Sequence, residues 1–455
     1  MIEKFRKLFS EKIKGRDNKE LVKGGALAFV MKIGGIGFNY VFVFVLARLY
    51  GARGSGIYSI FQTVFQFFAN FGKLGYDILM VREIAQYNAK NQWGSIKELY
   101  FKVIRVNIIA SIVCSFILYF SADWIATKLF LKPGLSTYFQ ISALGILPFV
   151  LHSVHADCFR GMKKIFYYSF FQNLIAIAIA GILLCASYFI IHDRRVPVTV
   201  FVISITISSI ISFWFWWKKS PINSGGFGDK IIFSDKSKIA FSFFITALLQ
   251  VIRGWTDTIF LGRYGTEADV GIYKVAFRIS TITSLTLTAF LLTVAPKIAE
   301  LHAKGELKRL AAVVQNTTKL IFWTSAPVLI LFILFPYFFM GLFGNEFLVG
   351  EVALIILSFG QFINAATGPV GNLLMMTGKQ DVNRNIVIAT TVITVILNAV
   401  LIPIYGIIGA AIVNVIGTIL FNVIPYFLVK RYFGFYTFDA KHIFSFKKKG
   451  FLKQS

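Results

Sequence analysis

Apolar residues in this chain come in unbroken blocks of about twenty, separated by short polar stretches, and the blocks show no period-two alternation. A helix needs roughly 20 residues to cross a hydrocarbon core about 30 Å thick, and in lipid only helices and closed barrels satisfy every backbone group. Continuous rather than alternating blocks select helices. They predict membrane spans near 24–47, 56–80, 102–121, 138–158, 166–191 and 198–217. A second set follows near 240–261, 270–296, 312–337, 350–376, 385–404 and 407–429. The longest polar break, 218–238, contains Pro221, Gly225, Gly226 and Gly228 and reads as a flexible linker. It separates an N-lobe, 24–217, from a C-lobe, 239–429.

The two halves resemble each other. Arg48-Leu49-Tyr50-Gly51 followed by Gly56-Ile57-Tyr58 returns as Arg263-Tyr264-Gly265 followed by Gly271-Ile272-Tyr273. Tyr50 to Tyr264 is an offset of 214 and Tyr58 to Tyr273 one of 215. Both hairpins follow an odd-numbered span, so the repeats run parallel. Parallel repeats imply two lobes about an axis along the membrane normal, with a cavity between them. The rival reading is shared hairpin chemistry, Gly for the turn and Tyr for the interface. The fold class expected is all-α integral membrane, with about 12 transmembrane helices in two six-helix lobes around a central cavity.

Charge then sets the orientation. Of the 47 Lys and Arg, 35 fall in the two end segments and the loops on their side, with Lys102, Arg105 and Lys319 at span ends counted in loops 82–105 and 297–319; 7 fall in the opposite loops, and 5 lie deeper inside spans. This bias places both termini in the cytoplasm. It also accounts for the net charge of +26 without nucleic acid. The first 23 residues put Ile2, Phe5, Leu8, Phe9 and Ile13 on one helical face, as an interfacial amphipathic helix does. The tail, 430–455, interleaves Phe433, Phe435, Tyr436, Phe444 and Phe446 with Lys441 and Lys447–Lys449, a headgroup-level anchor. The first apolar block is too long for a cleavable signal and is expected to remain as a signal anchor.

The ionisable residues inside spans are the candidates for chemistry, since each costs a few kcal/mol or more in hydrocarbon unless it meets a partner or a wet cavity. They are Lys32, Lys73, Arg253, Lys274 and Arg278, with Asp77 and Asp257. Lys73 with Asp77, and Arg253 with Asp257, sit four apart and can pair, whereas Lys274 and Arg278 share a face and cannot neutralise each other. Structural ion pairs with snorkelling at span ends are one reading. The other is a cationic lumen suited to a phosphate or acidic sugar. Asn39, Gln361, Asn364, Asn372, Asn398, Asn414 and Asn422 add amides that either bind sugar hydroxyls or join helices. Gly368-Pro369 breaks the tenth span. His152, His155 and Asp157 have no fourth ligand nearby, Cys114, Cys158 and Cys185 lack ligand spacing, and there is no nucleotide or hydrolase motif. No metal site, cofactor or enzymatic activity is expected beyond an H+ or Na+ coupling ion.

The stretch Leu46-Ala47-Arg48-Leu49-Tyr50-Gly51 with Gly56-Ile57-Tyr58 resembles the start of polysaccharide-repeat flippases. Leu397-Asn398 to Leu401-Ile402-Pro403, Tyr405-Gly406 and Gly409-Ala410-Ala411 resemble their last hairpin. These are the O-antigen, Wzx-type, polysaccharide transporter branch of the multidrug/oligosaccharidyl-lipid/polysaccharide (MOP) exporter superfamily. The resemblance implies flipping of an undecaprenyl-pyrophosphate-linked oligosaccharide across the cytoplasmic membrane by alternating access, for surface polysaccharide biosynthesis. Membrane lipids and other polysaccharide-assembly membrane proteins are the implied partners. It also implies that cavity cations engage the anionic substrate, and Arg253, Lys274, Arg278 and Lys32 fit that role. Lys73, Asp77, Asn39, Asn364 and Asn372 are secondary positions. A drug/cation antiporter of the same superfamily should carry more acid than base in its lumen. A membrane glycosyltransferase or polymerase should carry larger catalytic loops.

Overall fold

A computed structural model describes residues 16–188, 190, 193–220 and 233–443, and every regular element among them is helical. Two compact units result, Met1–Val251 and Ile252–Ser455. The first holds α1 (Arg16–Lys73), α2 (Tyr76–Ala89), α3 (Trp93–Trp124), α4 (Ser136–Ala143), α5 (Ile146–Gly161), α6 (Ile165–Phe170), α7 (Ala176–Tyr188) and α8 (Val196–Lys219). Helix α9 (Phe233–Tyr264) begins in the first unit and ends in the second. The second continues with α10 (Glu267–Ser280), α11 (Leu285–Ala303), α12 (Leu307–Leu334), α13 (Pro336–Gly341), α14 (Glu351–Ala366), α15 (Val370–Met376), α16 (Gln380–Phe433) and α17 (Ala440–Ile443). Most of the expected linker, 221–232, the first fifteen residues and the tail beyond Ile443 lie outside the described residues.

The protein is a multi-pass membrane protein. Among the described residues eight helices are long and apolar enough to cross a membrane, nine if the bent pair Pro133–Ala143 and Ile146–Gly161 counts as one span. The difference from twelve has identifiable causes. Predicted spans 24–47 and 56–80 share α1, which turns at Gly51 (φ 68°, ψ −171°). Predicted spans 385–404 and 407–429 share α16, which turns at Gly406 (φ 54°, ψ −126°). Both glycines stand in the Tyr-Gly pairs of the hairpin motifs, at backbone angles where a Cβ costs roughly 1–2 kcal/mol. The predicted span 270–296 is broken, with a 3-10 turn at Thr281–Ser284 between α10 and α11.

The tenth predicted span breaks as Gly368-Pro369 foretells, with Gly368 at φ 72° between α14 and α15. The break frees the Thr367 carbonyl, and Thr437 of the tail donates its hydroxyl to it at 2.7 Å. An interrupted helix at membrane depth survives only where its freed groups find such partners. In the first unit α2 packs on α3 and α5, and α5 on α8. Their core holds Leu79, Leu99, Tyr100, Phe159 and Trp216. In the second unit α14 packs on α12 and α16.

Candidate functional site

A cavity of about 300 Å³ lies within the second unit, walled by α9, α10, α14 and α16. Arg253 and Asp257 reach it from α9, Phe277 from α10, and Gln361 and Asn364 from α14. Helix α16 supplies Thr390, Thr394, Asn398, Asn414, Thr418, Phe421 and Asn422 from both sides of its Gly406 turn. A wall of amides and hydroxyls in an otherwise apolar bundle needs water or ligand to satisfy it.

The sequence allows Arg253 and Asp257 to pair, and the structure pairs Asp257 otherwise. Its carboxylate accepts from the Tyr273 hydroxyl at 2.5 Å and from the Lys274 ammonium at 3.4 Å. It also accepts from the Thr258 amide at 2.7 Å and the Thr258 hydroxyl at 3.1 Å. Four donors saturate a carboxylate that is itself buried. Helix α10 is held for this by a capping box, in which Thr266 and Asp269 each satisfy the other's backbone amide at its start. That cap sets the turn that lays Tyr273 and Lys274 against α9. Lys274 is boxed further by the Trp255, Tyr273 and Phe277 rings at 5.0, 5.6 and 5.8 Å.

Arg253 is left with a different neighbour. Its guanidinium stacks over the Phe421 ring at 3.9 Å, it is exposed to the cavity, and among the described residues it has no acidic partner. A stacked guanidinium keeps its in-plane N–H fork open, the geometry that takes a phosphate or carboxylate with two hydrogen bonds.

The remaining candidates disperse. Arg278 is half-buried at the end of α10 and is not among the cavity-lining residues, although Phe277 is. Asn372 is half-buried on α15, away from the lining. In the first unit Lys73 and Asp77 do pair, at 3.3 Å, but across a helix break at Leu74-Gly75 rather than along one helix face. Lys73 also lies over the Phe149 ring at 5.2 Å. The Asn39 side-chain oxygen is buried without a hydrogen-bond partner. Lys32 falls on α1, but its side chain lies outside the described residues. Phe421 as a platform for Arg253, and Thr390, Thr394 and Thr418 as wall, were not singled out from the sequence. The Thr390–Thr394 spacing of four, one helix face, was the available signal.

His152 and His155 are buried in hydrogen bonds instead. His152 meets the Phe171 carbonyl at 3.0 Å and the Ser208 hydroxyl at 3.2 Å. His155 meets the Tyr100 hydroxyl at 3.0 Å and the Ser212 hydroxyl at 3.1 Å.

A family model described as polysaccharide biosynthesis protein matches residues 21–302, well over half of the chain. The chain belongs to this polysaccharide biosynthesis family. A second model, MatE, matches residues 243–400. Among relatives, the chain is 28% identical over 159 residues to the probable low-salt glycan biosynthesis flippase Agl15 of Haloferax volcanii, covering 35% of this chain and 34% of that protein. It is 29% identical over 168 residues to the probable flippase AglR of the same organism, covering 36% of this chain and 35% of that one. The matched stretches thus span about a third of those two relatives. It is 26% identical over 377 residues to the uncharacterized membrane protein MJ1068 of Methanocaldococcus jannaschii, covering 78% of this chain and 73% of that protein. Two solved structures share the fold of this family member. One is an inward-facing multidrug resistance MATE family transporter of the MOP superfamily, with a TM-score of 0.73 at 14% identity over 90% of this chain and 98% of that one. The other is the lipid II flippase MurJ in an inward closed conformation, with a TM-score of 0.70 at 14% identity over 92% and 89%. The all-α MOP architecture expected from the sequence is therefore the observed one.

Proposed function

We propose that this protein flips a lipid-linked oligosaccharide across the cytoplasmic membrane by alternating access, without catalysing a reaction. The carrier would be a polyprenyl diphosphate, undecaprenyl pyrophosphate in the form the family resemblance implies. The observation that carries this reading is the stacked, acid-free Arg253 facing a wall of amides and hydroxyls. The guanidinium suits the diphosphate, and Asn364, Asn398, Asn414 and Thr394 suit sugar hydroxyls. A cavity of about 300 Å³ fits a headgroup and its first sugar. The rest of the glycan and the lipid tail would stay outside it. The flippase relatives support the same reading, since their names assign them to glycan biosynthesis.

The MatE match favours a second reading, a drug/cation antiporter. A cation site needs an available carboxylate. Among the described residues Asp257 is the one acid lining the cavity, and Lys274 already offsets it.

The deciding experiment uses purified protein in vesicles carrying a fluorescent lipid-linked oligosaccharide, with flipping read by quenching from outside. Wild type flips substrate without ATP, and Arg253→Ala lowers the rate about 100-fold with normal reconstitution. Arg253→Lys restores part of it, because charge returns without the fork. Unchanged flipping by Arg253→Ala, or proton-driven uptake of a cationic dye in place of lipid flipping, would sink the proposal.

A further inference from the structure

A second concavity of the second unit, about 320 Å³, has a different character. It is an almost wholly apolar groove between α14 and the end of α16, lined by Phe359, Phe362, Ile363, Ala366, Val423 and Phe427. Phe359 and Phe427 remain 51% and 58% exposed at its lips. The first segment of the tail closes one end. Phe438 lies 5.7 Å from Phe322, which in turn lies 5.3 Å from Phe362. Tyr426 donates its hydroxyl to the Phe438 carbonyl at 2.9 Å and stacks on Tyr436 at 5.0 Å.

That closed end also carries charge and aromatic belt residues. Lys430 donates to the Gly434 carbonyl at 2.8 Å and sits 5.1 Å over the Tyr436 ring, one turn beyond Tyr426. Arg431 is exposed beside it. Lys379 sits 5.0 Å over the Tyr432 ring. Tyr432, in the last turn of α16, is 41% exposed. Exposed Tyr with Lys and Arg at the end of a span marks headgroup depth. The groove therefore starts where a lipid headgroup lies and runs into the hydrocarbon. It is apolar where an acyl chain lies and cationic where a phosphate lies.

We propose that this groove is a binding site for one anionic phospholipid of the surrounding membrane. One acyl chain lies along Phe359, Phe362, Ile363 and Phe427, and Lys430 and Arg431 meet the phosphate. The charge at the rim selects anionic over zwitterionic headgroups, and the groove separates this lipid from those that merely cover the helices. The site stands apart from the polar cavity and does not depend on the transported substrate.

The test is native mass spectrometry of the delipidated full chain in detergent, titrated with phosphatidylglycerol or phosphatidylcholine. Wild type is expected to retain one phosphatidylglycerol with at least a tenfold preference over phosphatidylcholine. Lys430→Gln with Arg431→Gln erases the preference. Ala366→Phe, which fills the groove, removes the bound lipid. Phe427→Ser, at an exposed lip and so without a core cost, weakens binding severalfold and keeps the test valid should Ala366→Phe fail to fold. Equal binding of both phospholipids, or retention undiminished in Phe427→Ser, overturns the proposal. So does displacement by an equimolar polyprenyl phosphate, which would assign the groove to the substrate's tail. A severalfold rise in binding on truncation after Ile443 also overturns it, because the chain's own last residues would then be the occupant.

Discussion

In the first unit Phe42 meets Tyr58 ring to ring, 5.5 Å between centroids. In the second unit Asp257 meets Tyr273 as acceptor to donor, 2.5 Å apart. Each pair is sixteen residues apart and spans the repeated hairpin, so the same reach serves two chemistries. At the offset of 215 that relates Tyr58 to Tyr273, Arg253 answers to Phe38, Asp257 to Phe42, Lys274 to Ser59 and Arg278 to Thr63. One copy of the hairpin is apolar packing, and the other holds an ion pair beside a cavity. The buried histidines of the first unit and the cavity wall of the second differ in the same way. In the first unit His152 and His155 find hydroxyl and carbonyl partners within the bundle. In the second unit amides and hydroxyls face open space. The hairpin is scaffold, and under the proposed function the charges of its second copy are where the anion would bind.

The sharpest way to break this comparison is Asp257→Ala. It leaves the Lys274 ammonium and the buried Tyr273 hydroxyl without their acceptor. Removing one partner of a buried pair costs about 3–5 kcal/mol. The lower end is expected here, because the Trp255 ring still faces the ammonium. Thermal unfolding in detergent should shift down by several degrees, and flipping should fall with it. An unshifted melting curve would mean that the pair is not structural. Next in size is a conversion of the second hairpin into the first, Arg253→Phe with Asp257→Phe and Lys274→Ser. The ion pair is removed whole, and a ring returns opposite Tyr273, so stability should fall by less than in Asp257→Ala while flipping drops to background. Retained flipping would show that the charges of this copy are dispensable.

Much of the fold was legible because the membrane imposes a length on apolar blocks and a chemistry on turns. The span boundaries placed turns where Gly51 and Gly406 take positive φ, and Gly368-Pro369 foretold the break in the tenth span. The site was legible as a residue inventory but not as a set of contacts. The spacing of four made Arg253 and Asp257 look like partners, yet spacing on one helix says nothing of the neighbouring helix. There Tyr273 and Lys274 present two donors to Asp257. The resemblance grouped Arg253 and Arg278 as cavity cations, but position along a helix does not fix rotation about it, and the cavity lining includes Phe277 rather than Arg278. Phe421 was invisible because an apolar ring in an apolar span carries no signal until the cation above it is placed.

The smallest expected effect concerns that ring. Phe421 carries no charge and is only partly buried, so Phe421→Leu keeps most of the packing and should leave melting nearly unchanged. What it removes is the face beneath the Arg253 guanidinium, 3.9 Å away. Cation–π attraction of this kind amounts to about 0.5–2 kcal/mol, the larger values applying where water is scarce. By the relation of about 1.4 kcal/mol to each factor of ten, substrate affinity should fall roughly 2- to 30-fold. The loss should appear in half-saturating substrate concentration more than in maximal rate, since the ring orients the fork and does not itself touch the anion. Phe421→Trp, which keeps a π face, should retain affinity, and Phe421→Gln should resemble the Leu variant despite its polarity. The first unit supplies the control. Phe38, the counterpart of Arg253, is half exposed and carries no cation, so Phe38→Leu should change neither affinity nor melting. Equal losses from Phe38→Leu and Phe421→Leu would mean that the two hairpins are equivalent, and the asymmetry argued from Arg253 would fail.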